Sequence, residues 1–240
     1  MIREKGSQRA MLKLIESDHF LGSINKLIKP YAEITVYDNW MPKSLYNDKE
    51  AELKNFLKYN FDLQMYNKIV NWWLHVDSTT PNWDLVSTCT IDGKRGILLV
   101  EAKAHEKELT EESHGKKLKV DATYDSEKNH ASIGVAIHEA NNGIKDMGFE
   151  VSISRDNCYQ LSNRVGHAWW LANQGIPVVL LYLGFLDCQD MNDGKNKLFH
   201  SPKDWEDCFL NHAKQVGVDS IVDEWVDCRE SKFITICRNI

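Results

Sequence analysis

The sequence predicts an α/β protein with a central mixed β-sheet flanked by helices and with a helical N-terminal region. Up to about residue 76, apolar residues recur at helical spacing. Two neighbouring strand patterns follow, and a long helical pattern then leads into the apolar segment Val178–Leu183. Helices that alternate with apolar strands are typical of helices packed against a sheet.

The N-terminal region, residues 1–76, is predicted to be helical and to pack on an α/β core formed by residues 77–240, as one compact unit. Ala10–Ile15 is apolar enough for a buried helix. Asp48–Leu53 is typical of an acidic helix start, and a helical stripe runs from Phe56 to Trp73. The polar segment that ends at Pro81 predicts a loop.

The core is predicted to begin with a hairpin. Leu85–Ile91 is rich in β-branched residues, Asp92–Gly96 is a turn, and Ile97–Ala104 is a second strand whose apolar run is typical of a central strand. Further elements follow along the chain. They are helices over Ala131–Asn142 and Tyr159–Asn173, the strand Val178–Leu183, a helix that begins at Ser201-Pro202, and a last strand, Phe233–Cys237.

The composition limits the class of protein. The chain has 240 residues, of which 42% are hydrophobic and 27% charged, with a net charge of −6. This acidic balance argues against a protein that coats nucleic acid, but a local basic groove still permits a nuclease. Six scattered cysteines predict reduced thiols and hence a cytoplasmic location. Neither a membrane span nor a signal peptide is expected.

Two carboxylates and a lysine carry the functional prediction. Glu101-Ala102-Lys103 ends the second strand, and strand alternation places Glu101 and Lys103 on one face. The hairpin can bring Asp84, at the foot of the first strand, beside Glu101. Clustered carboxylates suit Mg²⁺, and an adjacent lysine can stabilise a charged transition state. The alternative is a surface ion pair at a strand end. Charged side chains at the end of a buried central strand are, however, costly to desolvate, which favours a functional site.

These residues resemble the motif of the PD-(D/E)xK nuclease superfamily, over about Thr80 to Phe185, and the resemblance implies a restriction-endonuclease-like fold. The chain departs from that motif in one place, because Asn82 and Trp83 separate Pro81 from Asp84. The resemblance implies that Asp84, Glu101 and the Ala102 carbonyl bind Mg²⁺, with Mn²⁺ as a substitute. It also implies that Lys103 positions the attacking water.

The resemblance also covers a later helix. Gln160 and Arg164 are similar to a polar helix pair of several family branches, and the alternative is an ordinary solvated helix face. His105 shares the predicted face of Glu101 and either contacts the substrate or lies solvated at the strand exit. Family members often add an early acidic residue. Its candidates here are Glu50, Glu52 and Asp62.

The expected function is therefore divalent-metal-dependent hydrolysis of phosphodiester bonds, most readily in DNA, with nucleic acid and no membrane as partner. Two alternatives stay open: a non-catalytic interaction module of the same fold, and a hydrolase of a small phosphorylated substrate. An open cleft would favour a polymer and a closed cavity a metabolite. The lysines at 116, 117 and 119 either follow a phosphate backbone or form a solvated loop. Pairing of two chains as a homodimer is also left open.

Overall fold

The fold is a mixed six-stranded sheet with helices on both faces, so the predicted α/β class is confirmed at this level. We analysed a computed structural model that describes residues 6–44, 51–75, 79–110, 113–192 and 194–240. The helices in these residues are α1 Ser7–Glu16, α2 Phe20–Ile28, α3 Leu53–Asn60, α4 Leu63–Trp73, α5 Glu106–Thr110, α6 Tyr124–Asp146, α7 Tyr159–Asn173 and α8 Pro202–Ala213. None of them has both the length and the apolar character needed to cross a bilayer.

The strands are β1 Trp40–Met41, β2 Ala51–Glu52, β3 Asn82–Trp83, β4 Leu85–Ile91, β5 Lys94–Lys103, β6 Val178–Gly184, β7 Trp225–Asp227 and β8 Lys232–Asn239. The main sheet has the order β1-β4-β5-β6-β8-β7, and β2 and β3 form a separate two-stranded sheet. The β5–β6 and β6–β8 pairs are parallel, while the β1–β4, β4–β5 and β7–β8 pairs are antiparallel. β5 therefore lies inside the sheet, as its apolar sequence predicts.

The β4–β5 hairpin is tighter than the sequence suggested. Ile91 pairs with Lys94, so the turn is only Asp92-Gly93, and both turn residues have positive φ, 48° and 74°. A two-residue turn of this kind matches the twist of the flanking strands, and glycine adopts the left-handed conformation without a steric penalty. β5 consequently begins three residues earlier than predicted.

The described N-terminal residues contain helices and two short strands. The predicted acidic helix start at Asp48–Leu53 is wrong where it can be followed, because Ala51-Glu52 forms β2 and α3 begins only at Leu53. Its first three residues lie outside the described part of the chain. Ala51 and Glu52 pair with Trp83 and Asn82, so the sheet pairing overrides the helix-forming composition of this segment.

Two cores fill the two faces of the sheet. Helices α1 and α2 cover one face, where the side chains of Leu98, Val100 and Ala102 are buried. The opposite face holds Ile97 and Leu99, together with residues of α3, α4, α6, α7 and α8. We call these the α1 face and the α7 face. Because side chains alternate along a strand, Glu101 and Lys103 belong to the α7 face.

Candidate functional site

Glu101 lies at the centre of a buried polar cluster at the end of β5. Its side chain is only 3% exposed, and Lys103 is 4% exposed. The Lys103 Nζ atom donates to Glu101 Oε1 at 2.6 Å. Two charges of opposite sign within a sheet face are costly to desolvate, and they persist only where close partners compensate.

Helix α7 supplies the other partners of Glu101. Gln160 Nε2 donates to Glu101 Oε1 at 2.6 Å, and Arg164 Nε donates to Glu101 Oε2 at 2.7 Å. The second guanidinium nitrogen of Arg164, Nη2, lies 2.7 Å from the same Oε2 and donates to the Asn82 carbonyl at 2.8 Å. The guanidinium also lies over the Trp83 ring, 4.3 Å from its centroid. The solvated-face alternative for Gln160 and Arg164 is thus excluded, since both side chains point into this cluster.

Asp84 is positioned by the end of the hairpin ladder. It lies in a bend between β3 and β4, and its Oδ2 accepts the backbone N–H of Ala102 at 2.8 Å. Leu85 already pairs with Val100, so the Ala102 N–H lies beyond the end of the β4 ladder. The hydrogen bond fixes the Asp84 carboxylate beside the peptide that follows Glu101, as the hairpin argument predicted. Asp84 is more exposed than Glu101.

The charges around Glu101 keep it ionised. Burial alone would raise the pKa of its carboxyl group, but the Arg164 and Lys103 charges and their hydrogen bonds outweigh this and lower the pKa below its ordinary value. Counted with their formal charges, Arg164 and Lys103 are balanced by the Glu101 and Asp84 carboxylates, so the four side chains together are neutral. The two buried cations at the end of β5 are therefore compensated by carboxylates of the same cluster.

His212 belongs to the same region, which no sequence pattern indicated. It lies on α8, and burial together with the positive charge of Lys103 lowers the pKa of its imidazole to about 4. Trp205, Phe209 and His212 follow a helical period and are all buried, so the pattern could have predicted its burial. Its proximity to Lys103, 109 positions earlier in the chain, is visible only in the fold.

His105 is placed differently from the expectation of a solvated strand exit. It is 6% exposed, and its backbone bridges to Leu198. Its Nε2 lies 4.0 Å from Glu108 Oε1, and its Nδ1 is buried with no hydrogen-bond partner among the described residues. The solvated interpretation is wrong because the segment around Leu198 covers the strand exit.

The early acidic residues differ in their environments. Asp62 accepts the Met65 N–H and caps α4, so it serves the helix terminus. Glu52 is closer to the site in topology, because β2 pairs with the strand that precedes Asp84, but its Oε1 accepts the Thr80 N–H and lies 3.3 Å from Lys54 Nζ. Glu50 lies outside the described residues.

The donor atoms fit Mg²⁺ only in part. Two carboxylates and a backbone carbonyl are hard oxygen ligands, and Mg²⁺ commonly binds through one or two carboxylates and keeps several waters. Both oxygens of Glu101 are, however, engaged by nitrogen atoms of Lys103, Gln160 and Arg164. Among the described residues no cluster of three or more His, Cys, Asp or Glu side chains could hold a metal. Binding of a metal to Glu101 would require at least one of these donors to leave.

A cavity of about 670 Å³ adjoins the cluster. Gln160 and Arg164 form part of its wall, and so does Asn82, whose carbonyl accepts from Arg164. The predicted basic segment forms another part of the wall through Lys116, Lys117 and Lys119. Gln160 and Arg164 therefore line the same cavity as the lysines and also bond to the Glu101 carboxylate.

Comparison with protein-family models, with curated proteins and with solved structures gives no match for this chain. The geometry and chemistry of the site therefore carry the functional argument.

Proposed function

We propose that this protein is a divalent-metal-dependent nuclease that hydrolyses phosphodiester bonds, with DNA as the preferred substrate. The observation that carries the proposal is the buried Glu101–Lys103 pair at the end of a central strand, with Asp84 fixed beside it. A structural ion pair has no need of this position, because the corresponding site on the α1 face is filled by apolar residues. The resemblance of Asp84 and Glu101-Ala102-Lys103 to the PD-(D/E)xK motif supports the same interpretation.

In this mechanism Asp84, Glu101 and the Ala102 carbonyl would hold Mg²⁺ or Mn²⁺. A bound ion of this type polarises the phosphoryl oxygens and lowers the pKa of a water. Lys103 places a positive charge where negative charge develops on the phosphate. Arg164 and Gln160 orient the Glu101 carboxylate. If a bound ligand replaced one of their hydrogen bonds to Glu101, substrate binding would be coupled to the position of α7. His212 is neutral above about pH 4, which limits the repulsion of Lys103.

The test is a cleavage assay on single-stranded and duplex DNA at millimolar Mg²⁺ or Mn²⁺, with EDTA as the blank. Asp84→Asn is the sharpest variant, because the asparagine amide oxygen can still accept the Ala102 N–H while the charge is lost. We expect the rate to fall by about 10²-fold or more, as is typical when one charge-stabilising group is removed. Lys103→Ala should act in the same direction, and Lys26→Gln, an exposed lysine on α2, should have no effect.

Thermal unfolding of each variant shows whether the fold is intact. If wild-type protein releases no product with either metal, or if folded Asp84→Asn cleaves as fast as wild type, the assignment is wrong.

One observation favours a second candidate, a non-catalytic module of this fold. Both Glu101 oxygens are satisfied by protein donors, which is the state expected of a structural ion-pair cluster. Calorimetric titration with Mg²⁺ and Mn²⁺ separates the two. Binding that is lost in Asp84→Asn supports the nuclease, and no heat at millimolar metal supports the module.

A further inference from the structure

The cavity beside Glu101 has the dimensions of a small-ligand site. Its volume of about 670 Å³ falls in the usual range of pockets that enclose most of a small molecule. Paired bases in a duplex are stacked inside the helix, so a duplex would present only its backbone to such a pocket. An unpaired nucleotide can place both its base and its phosphate inside.

The charge of the cavity wall is one-sided. Lys116, Lys117 and Lys119 line it, and no acidic residue does so among the part of the chain that is described. None of the three lysines forms an ion pair with a described carboxylate. Lys116 is half-buried, and this burial lowers the pKa of its ammonium group. Such a wall attracts a phosphate group even though the chain as a whole is acidic.

The position of Lys116 is fixed by its backbone. Its N–H donates to the Arg155 carbonyl at 2.8 Å, and its carbonyl accepts from His130 Nε2 at 2.7 Å. At Gly115 an added Cβ would lie 2.3 Å from the Asp156 carbonyl oxygen, so only glycine allows this close approach. The basic wall is therefore built into the fold between α6 and the segment that precedes α7.

Aromatic and amide groups complete the site. The ring of Tyr159 lines the cavity and lies against Lys116, with Nζ 4.9 Å from the ring centroid, whereas Trp73, which also lies in the wall, is only 1% exposed. Burial raises the pKa of Tyr159 to about 12, so its phenol stays neutral. Stacking on aromatic rings is the usual way in which proteins hold unpaired bases without regard to sequence. Asn129 and Asn163 also lie in this wall, where Asn129 Oδ1 accepts from the His75 N–H and Asn163 Oδ1 accepts from Arg164 Nη1.

We propose that this cavity binds an unpaired nucleotide of single-stranded DNA directly beside the phosphodiester presented to Glu101. Gln160 and Arg164 join the two sites, because each lines the cavity and contacts the Glu101 carboxylate. The inference rests on the proposed nuclease function for the position of the cut bond, whereas binding of the nucleotide can be measured without cleavage. It predicts a preference for single-stranded over fully paired DNA.

The test measures binding by fluorescence anisotropy in EDTA, with a labelled single-stranded oligonucleotide and its blunt duplex. We expect the single strand to bind about tenfold more tightly or better, as base stacking on aromatic side chains allows. Lys116→Gln/Lys119→Gln should weaken single-strand binding about tenfold and reduce the slope of log K against log salt concentration by about 1.4, since each phosphate contact on a single strand contributes about 0.7. Lys26→Gln is the matched control and should leave both values unchanged.

Lys119 is exposed, so Lys119→Gln alone tests the same point with little risk to the fold, and a reduced slope is expected for it as well. Equal binding by wild type and the double variant, or tighter binding of the duplex, would overturn the inference. So would saturable binding of a nucleoside monophosphate or inorganic phosphate without binding of the oligonucleotide, which would indicate a small phosphorylated substrate.

The cleavage assay keeps the two proposals separable. Single-strand binding that depends on these lysines without any cleavage contradicts the nuclease and leaves the cavity assignment standing. Cleavage of duplex DNA at the same rate by wild type and by the lysine variant supports the nuclease and contradicts the cavity assignment.

Discussion

The two faces of the β-sheet are formed by the same strands but differ in the polarity of their buried side chains. On the α1 face, β5 contributes Leu98, Val100 and Ala102 to a core of apolar residues. On the α7 face the same strand contributes Ile97 and Leu99, but then Glu101 and Lys103. Further buried polar residues lie on the helices that cover this face. They are Lys54 of α3, Asn141 of α6, Ser162, Asn163, Arg164 and His167 of α7, and His212 of α8.

This difference shows that the fold does not need buried charge. Among the described residues the α1 face closes over the sheet with mainly apolar side chains and without a buried charged side chain, and apolar groups of similar volume are often as good as a buried ion pair or better. Under the proposed function, the charges of the α7 face mark the chemical site. The following variants test this contrast between the two faces, in order of decreasing expected effect.

Arg164→Leu should produce the largest loss of stability. It leaves the buried Glu101 carboxylate with one cation fewer and removes the bond to the Asn82 carbonyl. Loss of one partner of a buried pair costs about 3–5 kcal/mol, measured here as the free energy of unfolding in urea. Arg9→Leu on α1 removes only an exposed ion pair with Asp190 and should change little.

The pH dependence of that loss identifies its cause. The native pKa of Glu101 is lowered, so its stabilising contribution is present above the ordinary value of 4.5 and is lost as pH falls through the native pKa. In Arg164→Leu the pKa of Glu101 rises, because burial is opposed by one cation fewer, so protonation relieves the variant. The difference between wild type and variant should shrink in acid. A difference that stays constant below pH 5 would show that lost packing, not charge, dominates.

Leu98→Ala tests the α1 face in the same assay. Leu98 is fully buried between the sheet and its covering helices, and deletion of its side chain should cost about 2–5 kcal/mol. No titrating partner is involved, so the loss should be the same at pH 5 and pH 7.5. If the cost followed pH as that of Arg164→Leu does, the two faces would not be electrostatically distinct.

His212 should make wild-type stability fall in mild acid. Its pKa is about 4 in the fold, while its ordinary value is 6.5, so between these values the unfolded chain binds a proton that the native protein does not. The free energy of unfolding then rises with pH by about 1.4 kcal/mol per pH unit for this residue near pH 5. His167, whose pKa burial lowers to about 3, contributes in the same direction.

The measurement is unfolding in urea at several values between pH 4.5 and 6.5, for wild type and His212→Gln. His212→Gln should lower the slope of the free energy of unfolding against pH by the contribution of one proton, whatever its effect on overall stability. An unchanged slope would show that His212 is charged in the native state.

Ser201→Ala should produce the smallest effect. The Ser201 side chain accepts the Asp204 N–H at the start of α8, with Pro202 in the first turn, and loss of such a cap costs about 1 kcal/mol. The helices of the α1 face, α1 and α2, have no side-chain cap of this kind. If the cap holds α8 and thereby His212 against Lys103, cleavage should fall more than thermal stability suggests, whereas a purely local cap would lower only the melting temperature.

Elements whose ends carry clear local sequence signals were predicted correctly. The helix Tyr159–Asn173 was predicted with both ends correct, and the cap at Ser201-Pro202 is confirmed. The helix predicted over Ala131–Asn142 is longer and begins at Tyr124, because its first turns are polar and show no apolar period. Thr123 caps this helix, but it lies outside the apolar pattern on which the prediction was based.

The sequence by itself determined the alternation along β5, and therefore that Glu101 and Lys103 share a face next to Asp84. Strand geometry and a tight turn are local, so residues close in the chain suffice to predict them. Only the tertiary structure decided which face this is, that α7 directs Gln160 and Arg164 onto the carboxylate, and that His212 and the lysine-lined cavity lie beside it. Those contacts depend on how helices pack across the sheet, which is set by the complete core and not by any single segment.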